Sequence, residues 1–167
     1  VYGELSGDIN HNLQPKDICE IADGKREGNR EAALKAFEEF GEVAGDAIAT
    51  AVTLTDSLVV IGGGLTGASK YFMPSLMQQL RIVLHSVKGD EIPRLPEKAF
   101  DLDNEEEFSQ FARGESRPLK VYGTDRYVIY DPMKCTGVMM SKLGASKAIS
   151  IGAYSFALSM LDQAWHC

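Results

Sequence analysis

Asp56-Ser57-Leu58-Val59-Val60-Ile61-Gly62-Gly63-Gly64-Leu65-Thr66-Gly67 is the stretch on which the reading of the fold turns. Leu58 to Ile61 is a short apolar run rich in β-branched residues, with polar residues before it and glycines after it. That pattern predicts a fully buried strand of the parallel type, at the centre of a sheet. Glycines at a strand end let a ligand meet backbone with no Cβ in the way. A turn needs only one such residue, so a run of three argues for a binding role over a turn alone. The pattern from about Ala68 to His85 is helical, and open α/β sheets collect ligands outside the carboxyl ends of their strands.

Outward from that stretch, the preceding segment reads as a long helix. Asn29 is its N-cap, Glu31 lies in its first turn, and it runs to about Thr53. Leu34, Phe37, Ala44, Ile48, Ala51 and Val52 recur at helical spacing and define one buried face. Gly41, Gly45 and Ala49 form a second, flat stripe that suits close approach by another backbone. Each interior glycine costs roughly 1 kcal/mol against alanine. On the other side, Tyr71, Phe72, Leu76, Leu80, Val83 and Leu84 predict an amphipathic helix, with Pro74 in a first-turn position and His85 near its end. Shorter elements are a helix over 15–22, a loop over 88–96, and a strand over 98–102. An acidic helix is expected over 104–113, with Glu105, Glu106 and Glu107 on a solvated face. A hairpin is expected from Val121–Tyr122 and Tyr127–Tyr130, and a strand from Val138 to Lys142. The last element is an apolar helix from Gly144 to Leu161, with Ile149, Ala153, Phe156, Ala157 and Met160 or Leu161 at core spacing. Strands mixed with helices in this order predict an α/β fold.

Composition sets the outer bounds. A chain of 167 residues fits one domain with a real core, and 44% hydrophobic with 25% charged residues is ordinary for a globular protein. A net charge of −7 argues against a nucleic-acid backbone as partner. Ala148 to Leu161 is too short and too polar to span a bilayer, and no signal peptide is visible, so a cytoplasmic location is expected. The chain opens on Val1, which fits a piece of a longer protein. Cys19, Cys135 and Cys167 have unrelated spacings and support neither a disulfide framework nor a zinc knuckle. Asp8, Asn10 and Asn12 alternate like metal ligands but lack the rest of a calcium loop, so no metal site is expected there.

Gly62 to Gly67 satisfies G-x-G-x-x-G after a strand and before a helix, and Asp90 lies where a ribose-binding acid would be. A dinucleotide-binding oxidoreductase is therefore one reading. No G-x-S-x-G and no P-loop lysine occur, and His11, His85 and His166 are far apart in sequence. Asp101, Asp125 and Asp131 fall in an irregular segment and carry no assigned role. The chain offers a ligand cradle and no catalytic residue.

Three segments carry a family resemblance: Asn29-Arg-Glu-Ala-Ala-Leu-Lys-Ala-Phe37 with Phe40-Gly-Glu-Val-Ala-Gly-Asp-Ala-Ile-Ala49, Leu58-Val-Val-Ile-Gly-Gly-Gly-Leu65, and Leu143-Gly-Ala-Ser-Lys-Ala-Ile-Ser-Ile-Gly-Ala-Tyr154. The sequence resembles the C-terminal part of ROK-family proteins, a group of sugar kinases and related repressors, within the glucokinase subgroup. The resemblance implies the C-terminal lobe of an actin-like (ribonuclease H-like) kinase fold over residues 1–167, with an inserted segment at about 94–134. It implies that the N-terminal catalytic lobe, with its phosphate-binding and sugar-activating motifs, lies outside this chain. By resemblance Gly62, Gly63 and Gly64, with Leu65 close by, form the adenosine side of an ATP site. The implied cofactors are ATP and magnesium, and the implied activity of the full-length protein is phosphorylation of a hexose, this chain alone being inactive. A sugar-responsive ROK repressor is the alternative. Small-molecule sugar and ATP are the implied partners, with no membrane or nucleic acid, and a homodimer is left open. The cysteine-rich zinc motif of many members is not present in this sequence.

Overall fold

The computed structural model describes residues 1–7 and 13–165; Asp8, Asn10, Asn12, His11, His166 and Cys167 lie outside the described residues. Two short helices, α1 (Tyr2–Ser6) and α2 (Pro15–Ala22), precede the long helix α3 (Arg30–Thr55). The strand β1 (Val59–Ile61) follows, then a 3-10 turn over Gly64–Ala68 and helix α4 (Ser69–Arg81). A hairpin of β2 (Val83–His85) and β3 (Glu91–Pro93) leads into β4 (Lys98–Asp101). Helix α5 (Glu105–Arg113), a second hairpin of β5 (Arg117–Lys120) and β6 (Tyr127–Tyr130), strand β7 (Cys135–Met140) and helix α6 (Ala145–Trp165) complete the chain. The architecture is α/β, with a parallel three-stranded sheet in the order β1-β7-β4.

Helix α3 begins where its sequence says it should. The Asn29 side chain accepts the Ala32 N–H at 3.0 Å, and the helix ends at Asp56, which takes a left-handed conformation with φ 47°. Its most deeply buried line is Ala33, Phe37, Gly41, Gly45, Ala49 and Val52. The small stripe is therefore the main packing face, and Ala51, expected in the core, is exposed. The reason is α4. A Cβ on Gly45 would lie 2.7 Å from Gln79 Cβ and 2.8 Å from the Leu76 carbonyl oxygen. One on Gly41 would sit closer still to the Phe72 carbonyl oxygen and 3.0 Å from Ser75 Cβ. The two helices touch backbone to backbone, and only glycine leaves room for that. Phe37 stacks on Tyr71 with centroids 5.7 Å apart, and Phe40 meets Phe72 edge-on at 5.3 Å, next to this close contact. The opposite face of α4 turns Met73, Met77 and Leu80 inward, into a core that includes Ala99 of β4 and Val138 of β7.

Several sequence expectations need correction. The central strand is β7, whose Val138 is fully buried; β1 is an edge strand, with Val60 60% and Leu58 56% exposed. Val59 and Ile61 pack on the core, while the alternate apolar face has no covering element among the described residues. Helix α4 stops at Arg81 because Ile82 turns extended (ψ 144°) and the β-branched, apolar Val83–His85 pairs with Glu91–Pro93 instead. His85 thus stands on an exposed strand and not at a helix end. Pro74 is the sixth residue of α4, beyond the first turn, so the Lys70 carbonyl loses its usual helical N–H partner there. In the second hairpin, Val121 and Tyr122 belong to the turn, and Arg117–Lys120 is the strand. The final strand begins at Cys135, ahead of the expected Val138, and stops at Met140. Every described side chain of α6 from Ser146 to Asp162 is exposed, including Ile149, Phe156 and Leu161, so its core spacing meets no core here.

Candidate functional site

The parallel sheet aims the carboxyl ends of its strands at one edge. The chain leaves β1 through Gly62–Gly64, β7 through Ser141, and β4 through Asp101–Asp103. Ser141 N–H donates to the Ile61 carbonyl at 2.8 Å, and a Cβ on Gly62 would rest 3.6 Å from Ser141 Cβ. Gly63 has φ 101° and ψ −166°, a conformation that penalises any residue with a Cβ. Its carbonyl accepts from the Thr66 hydroxyl at 3.0 Å, which fixes the turn from within. A Cβ on Gly63, Gly64 or Gly67 would meet nothing within 4 Å. Here the glycines are not relieving a crowd of protein atoms: they leave backbone bare towards open space. Leu65 differs from its glycine neighbours, because it is half-buried and packs against the core, so only its backbone faces the turn.

One residue beyond that turn, Ser69 and Lys70 open a cleft of about 810 Å³ between α4, the end of β4 and α5. Met73, Met77 and Met140 give it an apolar floor, and Asp101 and Asp103 line its wall. The acids are braced. The Asp103 carboxylate accepts the Met140 N–H at 2.6 Å, and Glu107 accepts the Asp101 N–H at 2.7 Å while pairing with Arg81. Burial pushes the Asp101 carboxyl above the ordinary carboxylate range, and the neighbouring Glu107 and Asp103 charges push the same way. Glu107 is therefore a structural partner of α4 and β4, where the sequence suggested a member of a solvated face. Asp103 was not singled out in the sequence, although an Asp-x-Asp at a strand end was a signal that could have found it.

A second charged knot holds the start of α4 to the end of α2. The Asp23 carboxylate pairs with the Lys25 and Lys70 ammoniums, each at 2.7 Å, and accepts the Tyr71 hydroxyl at 2.5 Å. The Lys25, Lys70 and Tyr71 donors hold Asp23 far below the usual carboxylate range, and Asp23 raises both lysines in return. Nothing in the sequence spacing of residues 23 and 70 announced this pair.

Asp90 does not join the glycine run. It sits in the turn between the antiparallel strands β2 and β3, where Ser86 Oγ donates to its carboxylate at 3.0 Å. A ribose-binding acid ends a parallel strand beside the glycine strand, and the neighbour of β1 is β7. The dinucleotide arrangement is absent among the described residues. Asp131 braces the second hairpin, accepting the Glu115 N–H at 3.0 Å and the Met133 N–H at 2.9 Å, and Asp125 pairs with Lys120 on the surface. Among the described residues no three histidine, cysteine or acidic side chains are grouped to hold a metal ion, and no helix is long and apolar enough to cross a membrane.

Bare glycine backbone at a parallel-strand end, beside a cleft with an apolar floor and acidic wall, suits a ligand with a flat apolar part and polar or anionic groups. The ROK family profile matches residues 4–98. A crystal structure of a glucokinase from Parabacteroides distasonis is similar over 95% of this chain, with 49% identity and a TM-score of 0.79. The chain spans 42% of the length of that glucokinase. No curated protein sequence matches it. On the family match, which takes in more than half of its residues, this chain belongs to the ROK family.

Proposed function

We infer that this chain is the C-terminal, nucleotide-side lobe of an ATP-dependent hexose kinase with an actin-like fold. The observation that carries the reading is the glycine run: Gly62, Gly63 and Gly64 leave β1 at the ligand edge of the sheet with open space at Gly63 and Gly64 where side chains would stand. In this reading their backbone meets the adenosine side of ATP, with the backbone of Leu65 close by, and the adjoining cleft takes the rest of the nucleoside. Similarity to a glucokinase supports a sugar as the phosphoryl acceptor. The segment 94–134 is read as an insertion; it carries β4, α5 and the β5–β6 hairpin. Phosphoryl transfer rests on positioning and electrostatic stabilisation, and magnesium carried on the nucleotide phosphates would neutralise their charge.

By the resemblance, the family's phosphate-binding and sugar-activating motifs lie outside this chain. The 167-residue chain alone is therefore expected to lack sugar-dependent turnover, and the full-length protein containing it to show it. A coupled ADP-release assay with glucose and magnesium ATP on both proteins is the test. Clear turnover by the chain alone would place catalytic groups within it. Turnover by neither protein, with glucose or any other hexose, would contradict the kinase reading.

A further inference from the structure

On the far side of the Arg81–Glu107 ion pair lies a second cavity, of about 620 Å³, between the end of α4, β3, β4 and α5. The pair lines both cavities and forms the partition between them. Glu97 lines this second cavity, and its environment is unusual. The residue is 7% exposed, and its Oε2 is shut from solvent with no hydrogen-bond partner among the described residues. Buried carboxylate oxygens are normally satisfied, so an orphan beside a cavity points to a missing donor. The last torsion of a glutamate is soft, so a partial turn of the carboxylate would present an oxygen to the cavity.

The cavity wall narrows what that donor can be. Of its three cations, Arg81 is committed to Glu107, and Arg94 to Asp46 at 2.6 Å and Thr50 at 3.1 Å. Lys98 has no ion-pair partner among the described residues; its ammonium sits 4.9 Å from the Phe100 ring centroid. The Gln110 side chain on α5 also lacks a partner among the described residues, and Leu95 and Phe100 supply apolar surface. A divalent cation finds no three-ligand group, and an ammonium ligand would meet Lys98. A hydroxyl both donates and accepts: it can give a proton to Glu97 and take one from Lys98 or Gln110. We propose that this cavity binds a small polyhydroxylated molecule through Glu97, Lys98 and Gln110, at a site separate from the glycine run. The volume lies within the roughly 300–1,000 Å³ of small-molecule sites. The proposal stands whether or not the glycine run binds ATP.

The test is an NMR titration of the isotope-labelled 167-residue chain with glucose, sorbitol and putrescine in turn. Saturable shifts at the amides of residues 95–100 and 110 with glucose or sorbitol, and none with putrescine, are expected. Glu97→Gln keeps the shape but replaces an acceptor oxygen with a donor, and is expected to weaken polyol binding at least tenfold. Lys98→Met, at an exposed position, is expected to weaken it severalfold without changing the melting midpoint. Shifts with putrescine alone, shifts remote from these residues, or no shifts with either polyol would each overturn the proposal. So would unchanged affinity in a folded Glu97→Gln variant.

Discussion

Replacing Gly45 with alanine sets two effects against each other, and the structure decides which wins. Helix propensity alone favours the change by about 1 kcal/mol, because alanine loses less backbone freedom in a helix interior. Against that, the new methyl would stand 2.7 Å from Gln79 Cβ and 2.8 Å from the Leu76 carbonyl, where ordinary contact begins near 3.4 Å. The Leu76 oxygen is backbone within α4 and has no rotamer to escape to, so α3 and α4 must part by about half an ångström. A gap of that size forfeits roughly a quarter of the dispersion energy of each contact it opens. Overpacking of this kind costs about 1–3 kcal/mol. The net expectation is a loss of up to about 2 kcal/mol, or up to roughly 8 °C in melting midpoint for a chain of this size. Gly152→Ala is the control, since a Cβ there meets nothing within 4 Å and the described side chains of α6 are all exposed. Thermal and urea unfolding of both variants measure the difference. A Gly45→Ala chain with a raised midpoint would refute the backbone-to-backbone packing of α3 on α4.

Two further predictions concern charges. Asp23 is depressed in the folded chain, so its contribution to stability is complete above the ordinary carboxylate range and is lost as the pH falls through its own lower value. Asp23→Asn should therefore lower the midpoint at neutral pH and lose the part of the acid limb that extends below that range; an unchanged pH–stability profile would refute the knot. Glu107→Gln should cost about 1 kcal/mol, given a partly exposed pair with Arg81 and one backbone hydrogen bond. It should also bring the Asp101 carboxyl down towards its ordinary value, with burial keeping it above that value, as an NMR titration would show; an unmoved Asp101 would contradict the coupling.

The parts of the fold that the sequence disclosed were those written in local chemistry. The Asn29 cap and the glycine turn each depend on residues a few positions apart, and each is where the pattern places it. Which apolar face is covered depends on the rest of the chain. Leu58–Ile61 is apolar on both faces, so its pattern could not distinguish an edge from a centre, and the Gly41–Ala49 stripe could be ranked only once α4 lay against it. The helical spacing of Val83 and Leu84 continued that of α4, and the tertiary pairing with Glu91–Pro93 overrode it. At the candidate site, the glycine run Gly62 to Gly64 stood out in the sequence because it directly follows an apolar run. Asp103, Glu107 and Lys70 were not, because their partners are brought to them by the sheet and by α4.

Nucleotide affinity at Gly63 tests the central claim most directly. Gly63→Val in the full-length protein puts a branched side chain into open space at the strand end and penalises φ 101° by roughly 1–2 kcal/mol. Calorimetric titration of parent and variant with ATP and with the sugar, alongside a melting curve showing that the variant remains folded, separates a blocked site from a collapsed loop. The account predicts at least tenfold weaker ATP binding with sugar affinity nearly unchanged. A folded variant that binds ATP as tightly as the parent would show that the glycines form a turn and nothing more.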